Sequence, residues 1–236
     1  MSAAGRAAAA HLCGLLDELF GWCAELGSRL RTAHAAAAAL TTEELSELWQ
    51  PIFDRLDAEP GLVAGTGVIL ADDVLGDRAH WLEWWQHRPG DTPRFLQVDH
   101  DPDSVGFYDY AAAPWFTEPR RSGLAVAVGP YVDFAGTDEY LVTLSVPVRS
   151  GDRFLGVAAA DLRTGEFERA LLAHVGPGDP PAALINQANR VVASNTPLRL
   201  PGALVTEGPL ATAPGHPVFA ARRTTGLPWR LVEEPE

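Results

Sequence analysis

Apolar residues recur every three to four positions near the start of the chain: Leu12, Leu15, Leu16, Leu19, Cys23, Leu26 and Leu30. That period draws one stripe along a long helix. The Ala-rich run from Ala33 to Ala39 prolongs the helix by propensity. Thr41 and Glu44 stand at capping-box spacing, so a second helix is expected there, with Leu45, Leu48, Trp49, Ile52, Phe53 and Leu56 as its apolar face. Pro51 falls inside that face and predicts a kink. The leucine stripe of the first helix has two possible partners, the chain's own sheet or a second copy in a homodimer.

Beyond Pro60-Gly61 the period shortens to that of strands. Leu62 to Leu70 reads as a strand whose two glycines imply close backbone approach or a bulge. Trp81, Trp84 and Trp85 follow among charged residues, then a turn from Arg88 to Pro93 and a short strand from Phe95 to Val98. From Leu141 to Val148 the alternation is clean, with Val142, Leu144, Val146 and Val148 on one face and Thr143 and Ser145 on the other. Ser150-Gly151-Asp152 turns the chain into a return strand from Arg153 to Asp161, on which Leu155, Val157 and Ala159 should share the side of Asp161. A helix from Thr164 to His174, a break at Gly176-Pro177-Gly178, a hairpin from Leu184 to Asn195 and a strand near Trp229 to Val232 complete the pattern. Helices first and a meandering antiparallel sheet afterwards predict an α+β architecture, with a helical segment over 1–58 and a sheet domain over 59–236.

The 236 residues carry a formal net charge of −13, which argues against a nucleic-acid partner and against docking on anionic lipid. No run reaches the roughly 18 apolar residues of a membrane span. Arg6, His11, Asp17 and Glu18 interrupt any signal-peptide core. The expected compartment is therefore the cytoplasm. Cys13 and Cys23 stand about 15 Å apart if they share one helix, too far for a disulfide, and read as core thiols.

No pair of nucleophile and base, phosphate loop, dinucleotide fingerprint or haem motif occurs, so no catalytic residue and no cofactor is assigned. Asp99, Asp101 and Asp103 open like a calcium loop, but Ser104 takes the place of its glycine and Tyr110 that of its bidentate acid. His80 and His87 lack a third ligand at metal-site spacing, and no metal site is assigned. What remains is a concentration of aromatics and lone carboxylates between Tyr108 and Asp161: Tyr108, Tyr110, Trp115, Phe116, Tyr131, Asp133 and Asp161. Aromatic faces and carboxylates together suit an ammonium group. The same residues also read individually as core aromatics, as a turn aspartate before Phe134-Ala135-Gly136, and as a cap on the helix near Thr164.

The order of these motifs resembles the Cache family of PAS-like sensor domains: a long first helix, a strand, a Trp-rich region, Tyr-x-x-x-x-(Arg)-x-Trp-(Tyr), then Pro-Tyr-x-Asp, Phe-Leu-Gly-Val and a strand-ending Asp. In amino-acid-binding members an Arg and an aromatic pair hold the ligand carboxylate, while a Tyr and an Asp hold its ammonium. The resemblance places these roles on Tyr108, Trp115, Phe116, Tyr131, Asp133 and Asp161. Ala113 stands where the carboxylate-binding Arg belongs, and Phe116 lacks the hydroxyl of the usual Tyr. The implied function is a ligand-binding sensor for a small nitrogenous metabolite, an amine or amino-acid-like compound, that signals to a separate regulatory protein. The start at Met1 and the Pro-rich finish point to a stand-alone chain. Two other readings stay open: an interaction module with a vestigial pocket, and an enzyme acting on small amines or amides with Asp133 or Asp161 as base.

Overall fold

The computed structural model describes residues 1–58, 61–87, 90–133, 139–176, 178–207, 215–218 and 229–234. The turns expected at Pro60-Gly61, Arg88–Pro93, Phe134–Gly136 and Gly176–Gly178 lie wholly or partly outside them.

Helix α1 runs from Ala3 to Ala36, stopping short of Ala39. Leu12, Leu16, Leu19, Cys23, Leu26 and Leu30 are buried along one face, and Leu15 is half-buried beside them. The stripe is covered by the chain's own strands, so it needs no second copy. Thr41 donates its N–H to the Glu44 carboxylate at 2.7 Å, the reciprocal half of a capping box. A 3-10 turn (Glu44–Leu48) follows, and then helix α2 (Trp49–Ala58). The new helix therefore begins at Trp49, which puts Pro51 in its first turn. There its missing N–H costs nothing, and the expected kink becomes a 3-10-to-α junction.

The strands are β1 (Val63–Leu70), β2 (Leu82–Gln86), β3 (Arg94–Phe95), β4 (Val126–Val132), β5 (Tyr140–Ser150) and β6 (Arg153–Arg163). They form one antiparallel sheet in the order β3-β2-β1-β6-β5-β4. The strand expected to reach Val98 shrinks to the two residues of β3. Helix α3 (Pro114–Ser122), preceded by a 3-10 turn (Tyr110–Ala112), covers one face, and α1 lies across the other. Val142, Leu144 and Val148 of β5 pack on the α1 side, while Thr143 and Ser145 are buried on the opposite face.

Alternation along β6 breaks at Gly156, whose φ is +138°. Val157 and Ala159 face the α3 side with Asp161, but Leu155 belongs to the α1 side, contrary to the expectation from simple alternation. In β1, a Cβ on Gly67 would sit 1.9 Å from the Glu83 carbonyl oxygen. This is the close approach that the strand's glycines implied. Gly67→Ala is expected to cost about 3 kcal/mol or more, read as a lower urea midpoint at unchanged m value.

A second sheet follows. Helix α4 (Thr164–Leu172) leads to β7 (Ala182–Ile185), β8 (Val191–Ser194), β9 (His216–Pro217) and β10 (Arg230–Glu233), in the order β8-β7-β10-β9. The C-terminal hairpin is thus part of a separate small sheet and does not extend the large one. Trp229 and Phe167 meet at 5.9 Å between α4 and this sheet, and one apolar cluster runs from α1 through both. Among the described residues no helix is long and apolar enough to cross a membrane. Cys13 and Cys23 are free thiols.

Candidate ligand-binding site

On the α3 side of the large sheet the aromatic and acidic residues line a small recess with a cavity volume of about 20 Å³, room for little more than one water-sized group in this conformation. Its floor is Ile69 of β1, Thr143 of β5 and Asp161 of β6; Leu82 and Trp84 of β2 and Leu96 form one wall. Tyr108 and Trp115 close it from the α3 side, and Tyr131 and Asp133 border it at the end of β4.

Strand pairing builds the polar end. Thr143 and Asp161 are direct register partners across β5 and β6. Asp161 is buried, and its Oδ1 accepts the Thr143 hydroxyl at 2.6 Å. The Tyr131 hydroxyl lies 2.6 Å from the same Thr143 oxygen. Thr143 has one proton and gives it to Asp161, so Tyr131 must be the donor to Thr143. The result is a one-directional relay, Tyr131 to Thr143 to Asp161. Among the described residues nothing bonds the other carboxylate oxygen of Asp161.

Burial pushes the Asp161 carboxyl from an ordinary 3.8 up to about 7; the Thr143 bond opposes the rise, while the charges of Asp133 and Glu139 add to it. Burial also raises Tyr108 and Tyr131 well above the usual phenol range, so both stay protonated donors. Asp161 therefore does not cap the following helix. The strand it was expected to end continues to Arg163, and no side chain caps α4.

No arginine reaches the recess among the described residues. Ala113 is the N-cap of α3. Arg120 lies over the Phe154 ring, Arg121 pairs with Glu118, and Arg78 bonds the Asp77 carbonyl. Arg163 shares the Asp161 side of β6, but each of its nitrogens is engaged. Its Nε is 2.6 Å from Glu139, and its terminal nitrogens donate to the carbonyls of Gly61, Val63 and His87. The recess thus offers two carboxylates, aromatic faces and neutral donors, the pattern that suits a small cation with no acidic group.

Two of the expected site residues do not line it. The buried Tyr110 hydroxyl donates to the Leu70 carbonyl at 3.0 Å and accepts the Trp81 N–H at 3.2 Å, which fastens the 3-10 turn to β1. Phe116 is buried behind it, edge-on to Tyr110 and Phe154. Tyr110→Phe is expected to cost about 1–3 kcal/mol of stability by urea titration and to leave the recess's affinity unchanged.

Sequence reasoning assigned Thr143, Trp84, Ile69, Leu82 and Leu96 no role in the site. For Thr143 the signal was present: a polar position alternating with core valines on a strand that proves buried on both faces. For Trp84 it was not, because three tryptophans lie within five residues. The structure separates them. Trp81 and Trp85 turn to the opposite face of β2, where their indoles and that of Trp49 donate to the buried Glu83 carboxylate at 2.8–3.1 Å. His80 pairs with Asp72, and His87 contacts the Asp91 carbonyl. The Asp99–Asp103 stretch makes backbone turns through its own carboxylates. Among the described residues no group of three or more His, Cys, Asp or Glu could hold a metal ion.

A family model for the first PDC sensor domain of methyl-accepting chemotaxis protein-like proteins matches residues 94–169, a stretch that carries Leu96, Tyr108, Trp115, Tyr131, Asp133, Thr143 and Asp161 of the recess but not Ile69, Leu82 or Trp84. Solved structures share the fold. The ligand-binding domain of the Pseudomonas aeruginosa PAO1 amino acid chemoreceptor PctC, in complex with GABA, is 21% identical; the match covers 97% of this chain and 94% of that one, with a TM-score of 0.62. The ligand-binding domain of the Campylobacter jejuni chemoreceptor Tlp3, in complex with L-valine, is 13% identical over 86% of this chain and 73% of that one, with a TM-score of 0.58. The extracellular domain assigned to the histidine kinase soHK1S-Z6 is 15% identical over 78% of this chain, with a TM-score of 0.59, and the chain spans 65% of its length. These identities speak for the fold: an α+β arrangement shared with PDC, or Cache, sensor domains, as the order of motifs implied.

Proposed function

We propose that this PDC-type fold is a ligand-binding sensor for a small amine and signals to a separate protein. The observation that carries the reading is the buried Asp161 carboxylate, bonded by Thr143, bordered by Asp133 and aromatic rings, and faced by no protein cation among the described residues. Leaving such a charge unpaired is costly, and an ammonium ligand removes the cost. An amino-acid-like ligand would need another partner for its carboxylate, because Ala113 supplies none and Arg163 is occupied. Chemoreceptor domains of this fold with GABA, L-valine, L-Arg or L-Gln bound support the nitrogenous class.

Titration calorimetry with GABA, its decarboxylated analogue propylamine, other primary amines, amino acids and dicarboxylates tests the proposal. Amines should bind, and amines without a carboxylate should bind at least as well as their acid counterparts. Binding of dicarboxylates but not of amines would overturn it. The ligand is expected back unchanged after prolonged incubation, read by NMR; turnover would favour instead an enzyme with Asp161 as base. The cytoplasmic location belongs to the same proposal and is checked by cell fractionation. A homodimer through α1 would have to use the helix's outer face, since the leucine stripe is spent on the chain's own core; light scattering with and without ligand reads it.

A further inference from the structure

We infer that Asn186, in the small sheet, is a positioning residue for the recess in the large one: its side-chain amide holds the strand segment that carries Tyr131 and so sets the relay that ends on Asp161. The inference rests on reading the recess as the ligand site, but its first test needs no ligand.

Asn186 is 3% exposed and sits at the turn between β7 and β8. Its Oδ1 accepts the N–H groups of Ala188 and Arg190, both at 2.9 Å, and so shapes that turn. Its Nδ2 donates across to the Gly129 carbonyl of β4 at 2.6 Å. Gly129 lies inside the register shift between Val128 and Tyr131, where β4 leaves regular pairing with β5. A shifted segment has fewer ladder bonds of its own to fix it, so an outside bond has more leverage there. Two residues on, Tyr131 donates to Thr143, and Thr143 donates to Asp161. The path from the small sheet to the floor of the recess is therefore one hydrogen bond, one strand segment and then the two bonds of the relay, so the coupling is carried by the position of the segment. Because Asn186 uses both ends of its amide, the shape of the β7–β8 turn and the position of Tyr131 are set by one side chain. A change in one is passed to the other.

The measurement is the titration midpoint of the Asp161 carboxyl, followed by NMR of carboxyl-labelled aspartate in the ligand-free protein. Asn186→Ser keeps a turn acceptor but is too short for Gly129, and Tyr131→Phe marks the effect of losing the relay outright. Asn195→Ala serves as the matched control. Asn195 ties the same sheet through Ala182 and Pro180 at 2.7 and 3.3 Å and has no bond to β4. The expected result is a rise of about half a unit in Asn186→Ser, in the direction of Tyr131→Phe, with no change in Asn195→Ala. An unmoved midpoint in Asn186→Ser, or an equal rise in Asn195→Ala, would overturn the inference. Native-state hydrogen exchange of the unaltered protein provides a second reading if the serine variant does not fold. The amides of Tyr131 and Val132 should open together with those of Ala188 to Arg190, and independent opening counts against the coupling. With propylamine as probe, Asn186→Ser should weaken binding severalfold and Asn195→Ala should not. If propylamine does not bind the unaltered protein, the function proposal fails while the titration still decides the role of Asn186.

Discussion

Asp161→Asn should make the ligand-free protein more stable at pH 8 and nearly blind to amines. The folded carboxyl titrates at about 7 and the unfolded one near 3.8. Between those values the folded state holds its proton more tightly, so the contribution of this group is full below the lower value and is lost as pH rises through the upper one. A difference of about three units corresponds to roughly 4 kcal/mol as an upper bound. Asparagine carries no charge to desolvate, and its side-chain oxygen can still accept from Thr143. The variant should therefore melt several degrees higher than the unaltered protein at pH 8, with the gain shrinking toward pH 4. Its amine affinity should fall by about 1.5–3 kcal/mol, the worth of a charged hydrogen bond, or roughly 10- to 100-fold. A loss of stability at pH 8 would mean that Asp161 meets a cation within the chain. Unchanged affinity would remove it from the site.

Amine binding should weaken steeply on acidification. An ammonium ligand needs Asp161 ionised, and the empty site is only about half ionised near pH 7. Affinity should therefore fall roughly fivefold from pH 7 to 6 and about tenfold more to pH 5, while staying nearly flat above pH 8. At pH 7 binding should release about half a proton per site, read from calorimetric enthalpies in buffers of different ionisation heat. The Asp161→Asn variant should show neither effect. A flat profile in the unaltered protein would mean that the ligand does not engage this carboxylate.

How far the sequence could be read depended on how directly a residue's surroundings follow from its place in the chain. In α1, β5 and most of β6, periodicity fixes which side a residue faces, and the leucine stripe, Val142 and Leu144 lie where alternation put them. Leu155 does not, because the positive φ of Gly156 turns the strand over between it and Val157. In the stretch from Tyr108 to Phe116 no period operates. Tyr108 and Trp115 border the recess while Tyr110 and Phe116, of the same chemical kind, are spent on Leu70, Trp81 and Phe154.

By itself the sequence determined the class of the fold, the position of the long helix, the hairpin of β5 and β6, and the supply of aromatics and acids from which an amine site could be made. Those properties follow from local periodicity and residue chemistry. Only the tertiary structure decided that Thr143 stands opposite Asp161, that Tyr131 reaches Thr143 from β4, and that Arg163 is taken by Glu139 and three carbonyls. It also decided that the C-terminal hairpin forms its own sheet and reaches back to Gly129. These are matters of strand register and of contacts between distant segments. A slip of one residue would send Thr143 to the α1 face and leave Asp161 without its donor.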